Sequence, residues 1–361
     1  MSVLNIVLVT FSCLGALDRI FGSRFGLGRE FDRAFHLMGT MMLSMIGMIV
    51  LAPAIGALLR PLFDLFYELL GIDPSILPAS LFANDMGGAS LSLEVAQSEL
   101  LGSFNAYVVS SMMGCVISFT IPFATGIVHP SQHREMFLGF LYGIVTVPLG
   151  CAAAGLVAGI APLPLLLDLL PLLLLSGIIS AGLLLFPALS VRIFVWLGRL
   201  MTVGITVGLA LSIIGFRLGD PLLPELDTLE NGAWICLSAA VTLSGAFPLM
   251  LLVGRLLRRP MAALGRRLGV NATSALALIP TLVTSATAFG MMRDMDKKGV
   301  VLNSAFAVSA AFVFGSHLGF TMAFDETMIL PMIVGKLSAG VSALVLALFL
   351  YRGQGAAAEA K

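Results

Sequence analysis

The chain is organised by long apolar runs, with its charges gathered at the seams between them. A membrane-spanning helix needs about 20 predominantly apolar residues. Uncharged runs of that size occupy residues 34–59, 100–128, 136–167, 169–191, 231–254, 268–292 and 299–324. Two further runs carry one internal charge each, Arg199 within 192–216 and Lys336 within 327–351. Residues 74–93 are apolar except for Asp85. Pro148, Pro162 and Pro164 separate the run 136–167 from its successor. The connecting segments leave no room for a water-soluble domain.

Composition sharpens this picture. Hydrophobic residues make up 58% of the 361 and charged residues only 11%, against about 25% charged in a soluble protein. Only lipid solvates so apolar a surface comfortably. The formal net charge is zero, so nothing points to nucleic acid. Cys13, Cys115, Cys151 and Cys236 lie in apolar runs without metal-ligand or paired spacing, and read as small core residues. The first run has no Lys or Arg before it, and Asp18 and Arg19 follow it. A cleavable signal has the reverse order, so the run reads as a first span with its N-terminus outside. The Ala-rich tail 352–361 is expected to be disordered.

An internal repeat at an offset of about 198 residues relates the two halves. It sets Leu70-Gly71-Ile72-Asp73 against Leu268-Gly269-Val270-Asn271, Asn105 against Asn303 and Ser111 against Ser309. The expected division is a first repeat at 1–160, a linking span at 161–191 and a second repeat at 192–351. Charge then decides topology. If segments 74–93 and 268–292 both cross the bilayer, Lys and Arg divide almost evenly between the two sides. If both dip in and return, hairpins at about 74–99 and 268–292 leave Arg60 and Arg217 outside and gather the other loop cations inside. The positive-inside bias favours the second arrangement. It gives an all-α polytopic membrane protein with about nine full spans, two re-entrant hairpins and inverted repeats, an architecture used by transporters.

Within that frame the hairpin tips carry the chemistry. The first reads Asn84-Asp85-Met86-Gly87-Gly88. A charge near the bilayer centre costs roughly 2.5–3.5 kcal/mol, so Asp85 needs compensation, and a bound ammonium would supply it. Gly87 and Gly88 let backbone carbonyls approach a ligand. The competing reading has Asp85 cap the following half-helix. At the second tip, the hydroxyls of Thr284, Ser285 and Thr287 either bind a substrate hydroxyl or bond their own helix. His317, after Gly315-Ser316, either contacts substrate or packs as a satisfied core histidine. Lys336 reads as structural, paired with Asp85 or Glu326. Ser110 and Ser111 read as packing residues. No phosphate-binding loop, nucleophile elbow or metal-spaced Cys/His set is present, so no cofactor and no enzyme chemistry is expected.

These residues resemble the EutH family, the ethanolamine permeases of bacterial ethanolamine-utilisation systems. The resemblance runs nearly end to end. It is carried by Asp85-Met86-Gly87-Gly88, Ser111-Met112-Met113-Gly114, Gly143-Ile144-Val145-Thr146-Val147-Pro148, Phe289-Gly290-Met291-Met292, Asn303, His317-Leu318-Gly319-Phe320 and Gly335-Lys336-Leu337. It implies uptake of ethanolamine or a close amino alcohol across the inner (cytoplasmic) membrane, at times when diffusion of the neutral amine is slow. Two segments depart from the family pattern. Thr284-Ser285-Ala286-Thr287 replaces a paired asparagine followed by Ile-Pro, and Gly315-Ser316-His317 replaces Gly-Asp-His. Both changes leave Asp85 as the principal cation-holding group. The expected substrate site is Asn84, Asp85, Met86, Gly87, Gly88, Thr284, Ser285, Thr287, Ser316 and His317. A proton- or cation-coupled symporter of another small polar solute is the alternative, and the surface is compatible with a homo-oligomer.

Overall fold

A computed structural model describes residues 3–359. Among these residues the regular structure is helical throughout, with no strand. Eight helical stretches are long and apolar enough to cross a membrane. In chain order the elements are α1 (Val3–Ile20), α2 (Leu27–Leu70), α3 (Ile76–Leu81), α4 (Gly88–Val95) and α5 (Glu99–Phe104). Helix α5 continues through a π-helical stretch, Asn105–Gly114 and Val116–Thr120, into α6 (Ile121–Ile127). Next come α7 (His133–Val157), α8 (Pro162–Leu185), α9 (Pro187–Leu218), α10 (Leu229–Leu268), α11 (Ala272–Thr281) and α12 (Ser285–Met291). The chain ends with α13 (Lys297–Ala310), α14 (Ser316–Phe324) and α15 (Ile329–Glu359). The side chains of the tail 352–361, and all of Ala360 and Lys361, lie outside the described residues.

Burial separates central from peripheral spans. In the most apolar window of the α5–α6 stretch, 78% of residues are buried, against 17% in α1 and 22% in α9. The outer helices therefore turn leucines such as Leu184, Leu185 and Leu200 outward, where lipid takes the place of a protein neighbour. Helix α2 packs along α10, and α7 along α15 and α13. Two of these helices far exceed one bilayer crossing. Helix α2 has 44 residues, roughly 66 Å at 1.5 Å per residue, about twice the hydrocarbon thickness. Both α2 and α10 end on glycines in the left-handed region, Gly71 at φ 65° and Gly269 at φ 67°.

Two helical hairpins occur among the described residues. Helices α3 and α4 pack together as one, and α11 and α12 as the other. Carboxylates and amides close their bases. Asp73 accepts from the backbone N–H groups of Ser75, Gln97 and Ser98, at 3.0, 3.1 and 2.8 Å. Asp296 accepts from the Asn271 backbone at 2.9 Å and the Ser274 hydroxyl at 2.7 Å. From the following helix, Asn105 donates to the Ser75 hydroxyl at 2.9 Å, and Asn303 donates to the Ser274 carbonyl at 2.8 Å.

Three expectations change. The run 299–324, read as one span, is broken: α13 stops at Ala310 and α14 begins at Ser316. In the break, Phe312 sits at φ 64°, a conformation that costs a non-glycine residue about 1–2 kcal/mol. The boundary between the linking span and its successor, read at residues 191–192, falls at Phe186-Pro187. Proline has no N–H to continue α8 and its fixed φ suits a first helical position. Finally, Cys13 is exposed on α1, while Cys115, Cys151 and Cys236 are buried as expected.

Candidate functional site

The first hairpin tip is shaped by glycine. After α3, residues Asn84–Met86 form a single 3-10 turn and Gly87 takes φ 100°. A Cβ on Gly87 would lie 2.8 Å from the Met48 side chain, and one on Gly88 would lie 2.1 Å from the Phe82 carbonyl oxygen. Gly114, in the π-helical stretch, is equally constrained, since its Cβ would lie 2.0 Å from that same oxygen. Ser118, one turn on, accepts from the Ala83 backbone N–H at 3.0 Å. The tip is thus docked, backbone to backbone, on the most buried span.

Asp85 does not cap α4. The N-cap is Gly87, without any side-chain hydrogen bond, which removes the capping explanation for this carboxylate. The Asp85 side chain is 21% exposed, and its Oδ1 lies 4.0 Å from Nε2 of His317. Ser316, at the start of α14, also interacts with the carboxylate. His317 is 1% exposed. Its other nitrogen, Nδ1, is 3.1 Å from Nζ of Lys336, which donates at 2.6 Å to the Ser111 carbonyl. The lysine is therefore joined to Asp85 through an imidazole and not by direct pairing. Glu326, the other expected partner, accepts instead from Asn5 at 3.2 Å. The hydroxyls of Ser110 and Ser111 bond carbonyls of their own helix, those of Ala106 and Val108.

Asn84, beside the carboxylate, is fully buried, and neither its amide nitrogen nor its oxygen has a partner among the described residues. A buried amide left unpaired costs about 1–3 kcal/mol, so a group that completes it gains correspondingly. Met86, whose backbone carbonyl is the group expected near the substrate, packs its side chain on Met48, Met201 and Ile205. That contact anchors the tip to α2 and α9.

The second tip reaches the same region through the broken span. Phe314 donates to the Leu282 carbonyl at 2.8 Å, and Phe312 to that of Thr281 at 3.3 Å. A Cβ on Gly315 would lie 2.1 Å from the Val283 carbonyl oxygen. Residues 311–315 thus tie the second hairpin to one end of the break, while Ser316 and His317 meet the first hairpin at the other. The hydroxyls at this tip take separate parts. Thr284 caps α12, accepting from Ala286 at 3.3 Å. Ser285 is buried with its Oγ unpartnered among the described residues. Thr287 is exposed and, with Thr284, lines a cavity of about 300 Å³ whose walls include Glu30, Arg33, Arg255 and Arg258. Thr287 therefore opens onto that cavity together with Thr284.

Lys336 and the Ser111 carbonyl are the site groups that sequence reasoning put aside as structural. The signal was present in Lys336, an ionisable residue inside an apolar span. Its orientation toward His317, on a helix 19 positions away, was not.

Comparison with known proteins finds relatives over nearly the whole chain. The family model described as "Ethanolamine utilisation protein, EutH" matches residues 2–350. The probable ethanolamine permease EutH of Listeria monocytogenes serotype 1/2a (strain 10403S) is 39% identical over 344 residues, covering 95% of this chain and 92% of its own. The proteins of that same name from Salmonella typhimurium (strain LT2) and Escherichia coli (strain K12) are each 36% identical over 382 residues, covering 95% of this chain and 94% of theirs. No solved structure matches the chain. A family model that spans nearly every described span and both hairpins, together with relatives matched over almost their full length, establishes that this chain belongs to the EutH family of ethanolamine utilisation proteins.

Proposed function

We propose that this protein is a permease that carries ethanolamine, as its ammonium form, across the cytoplasmic membrane through a site at Asp85. One observation carries the reading. A carboxylate that caps no helix sits at a glycine turn, a fifth exposed, with a fully buried and unpartnered amide at its side. Such a pair offers an ionic acceptor for an ammonium and a second polar partner for its N–H groups or the hydroxyl. Ser316 stands on the same carboxylate, and the free Ser285 hydroxyl lies beyond the break. Hydrogen bonds to charged groups are worth about 1.5–3 kcal/mol each, enough to replace part of the water that the amine leaves behind.

Inverted repeats support this transport reading. At an offset of about 198, the C-caps Gly71 and Gly269 correspond, and so do the hairpin ties from Asn105 and Asn303. Helices α1, α2 and α7 then answer to α9, α10 and α15, with α8 as the link. Counting the broken α13–α14 pair as one crossing gives about nine spans, with both hairpins re-entrant, the N-terminus outside and the C-terminus inside.

Replacing Asp85 by Asn keeps shape while removing the charge. Uptake of radiolabelled ethanolamine by cells should then drop at least a hundredfold, with the protein still inserted at normal abundance. Undiminished uptake would refute the carboxylate assignment.

A further inference from the structure

The carboxylate proposed to receive the substrate ammonium already has a cation nearby. Lys336 is 1% exposed and touches the Ser111 carbonyl and His317 Nδ1. A charged lysine has three donors and no acceptor, so Nδ1 must present its lone pair and the imidazole proton must sit on Nε2. Nε2 is the nitrogen 4.0 Å from Asp85 Oδ1. The site's own groups therefore comprise one negative and one positive charge, joined by a neutral ring. Of the other titratable groups, the Cys115 thiol, between the two π-helical segments, interacts electrostatically with both Lys336 and Asp85, and the Cys151 thiol on α7 with Lys336. Neither is an anion that would balance a further cation.

A substrate ammonium arriving at Asp85 would leave this enclosed group with a net positive charge. Carrying that charge through the membrane interior would lower occupancy on the order of a hundredfold. Building on the permease reading, we infer that Lys336 is the resident counter-ion of Asp85 and releases one proton for each substrate ammonium bound, so that the permease exchanges ammonium for a proton and moves no net charge. The proton balance follows the contacts. The Lys336 N–H bond breaks as an N–H bond forms on His317 Nδ1. The Nε2 proton leaves past Asp85 to the aqueous side from which the substrate enters. The ring then donates from Nδ1 to the lone pair of the neutral lysine. Asp85 is left free to pair with the substrate, and the steps reverse on release.

Membrane potential tests this with the full chain reconstituted in proteoliposomes. The internal and external pH are held equal, [14C]ethanolamine is the probe, and flux into protein-free vesicles is subtracted. For wild type, final accumulation should agree within twofold at 0 and −100 mV. Entry with one net charge would raise it about fifty-fold at the negative potential. In Lys336→Met, only the substrate would balance Asp85, each turnover would move one charge, and accumulation should become sensitive to potential. Wild-type accumulation that rises with potential would overturn the exchange and leave the permease standing, as would Lys336→Met uptake that ignores potential. The wild-type comparison is decisive alone if the variant does not insert. Absence of any wild-type uptake would remove the permease reading itself, and the exchange with it.

Discussion

A carboxylate placed among apolar helices has to be matched by something, and at Asp85 the matching runs through an imidazole. His317 is positioned for this by its ring packing on Phe312, with centroids 5.0 Å apart, and by the Lys336 contact at 3.1 Å. Removing one partner from a buried ionic group leaves an uncompensated charge, which costs about 3–5 kcal/mol. Two variants at this position separate hydrogen bonding from packing. His317→Gln retains a polar group of similar reach and should reduce ethanolamine uptake about tenfold. His317→Phe fills the space without any hydrogen bond, strands Lys336, and should reduce it a hundredfold or more. Uptake at the wild-type level in both variants would show that the imidazole serves only to pack. At this scale the sequence was informative about Asp85, an acid alone in an apolar run, and about His317. Three hydroxyls within four residues look like one cluster in sequence, yet Ser285 is buried while Thr287 is exposed.

At the scale of elements, the first hairpin holds its shape because backbone meets backbone at Gly88 and Gly114. A methyl group at Gly114 would collide with the Phe82 carbonyl oxygen at 2.0 Å, and neither backbone has freedom to retreat. Gly71 instead has a left-handed φ of 65° and nothing within 4 Å of its Cβ. Gly71→Ala should therefore cost only the backbone strain, about 1 kcal/mol. Gly114→Ala should cost more, about 1–3 kcal/mol from overpacking, and should lower uptake as the Asp85 turn shifts. The buried thiols of Cys115, Cys151 and Cys236 provide the readout, since a thiol-reactive dye labels them only as the solubilised protein unfolds on heating. Matching melting curves for the two variants would contradict the docking account. Helix existence was legible from apolar runs, and Pro187 was an available signal for the α8–α9 boundary. The break between α13 and α14 was hidden. Residues 299–324 contain no Asp, Glu, Lys or Arg, and no local rule requires Phe312 to leave the helix. The second hairpin takes up its freed backbone N–H groups, a compensation arranged over some thirty positions of sequence.

For the whole molecule, the proposed inversion makes a prediction about sidedness. Single cysteines at Gly71 and Gly269, in a background freed of native cysteines, stand at equivalent helix ends of the two halves. A membrane-impermeant maleimide should label the first in intact cells and the second only after permeabilisation. Labelling of both from one side would show the halves to be parallel. Apolar content, run length and the placement of Lys and Arg were enough, on their own, to establish a helical membrane protein, because lipid imposes the same requirement on every spanning segment whatever its neighbours. They also singled out Asp85 as an acid alone in an apolar run. The partner of that acid was a matter for tertiary structure alone. Asp85, His317, Lys336 and Ser111 come from a hairpin tip, a half-helix, the last span and a π-helical stretch. Their meeting depends on how those elements pack, and electrostatic compensation inside a membrane acts across a few ångströms of space, with no regard to distance along the chain.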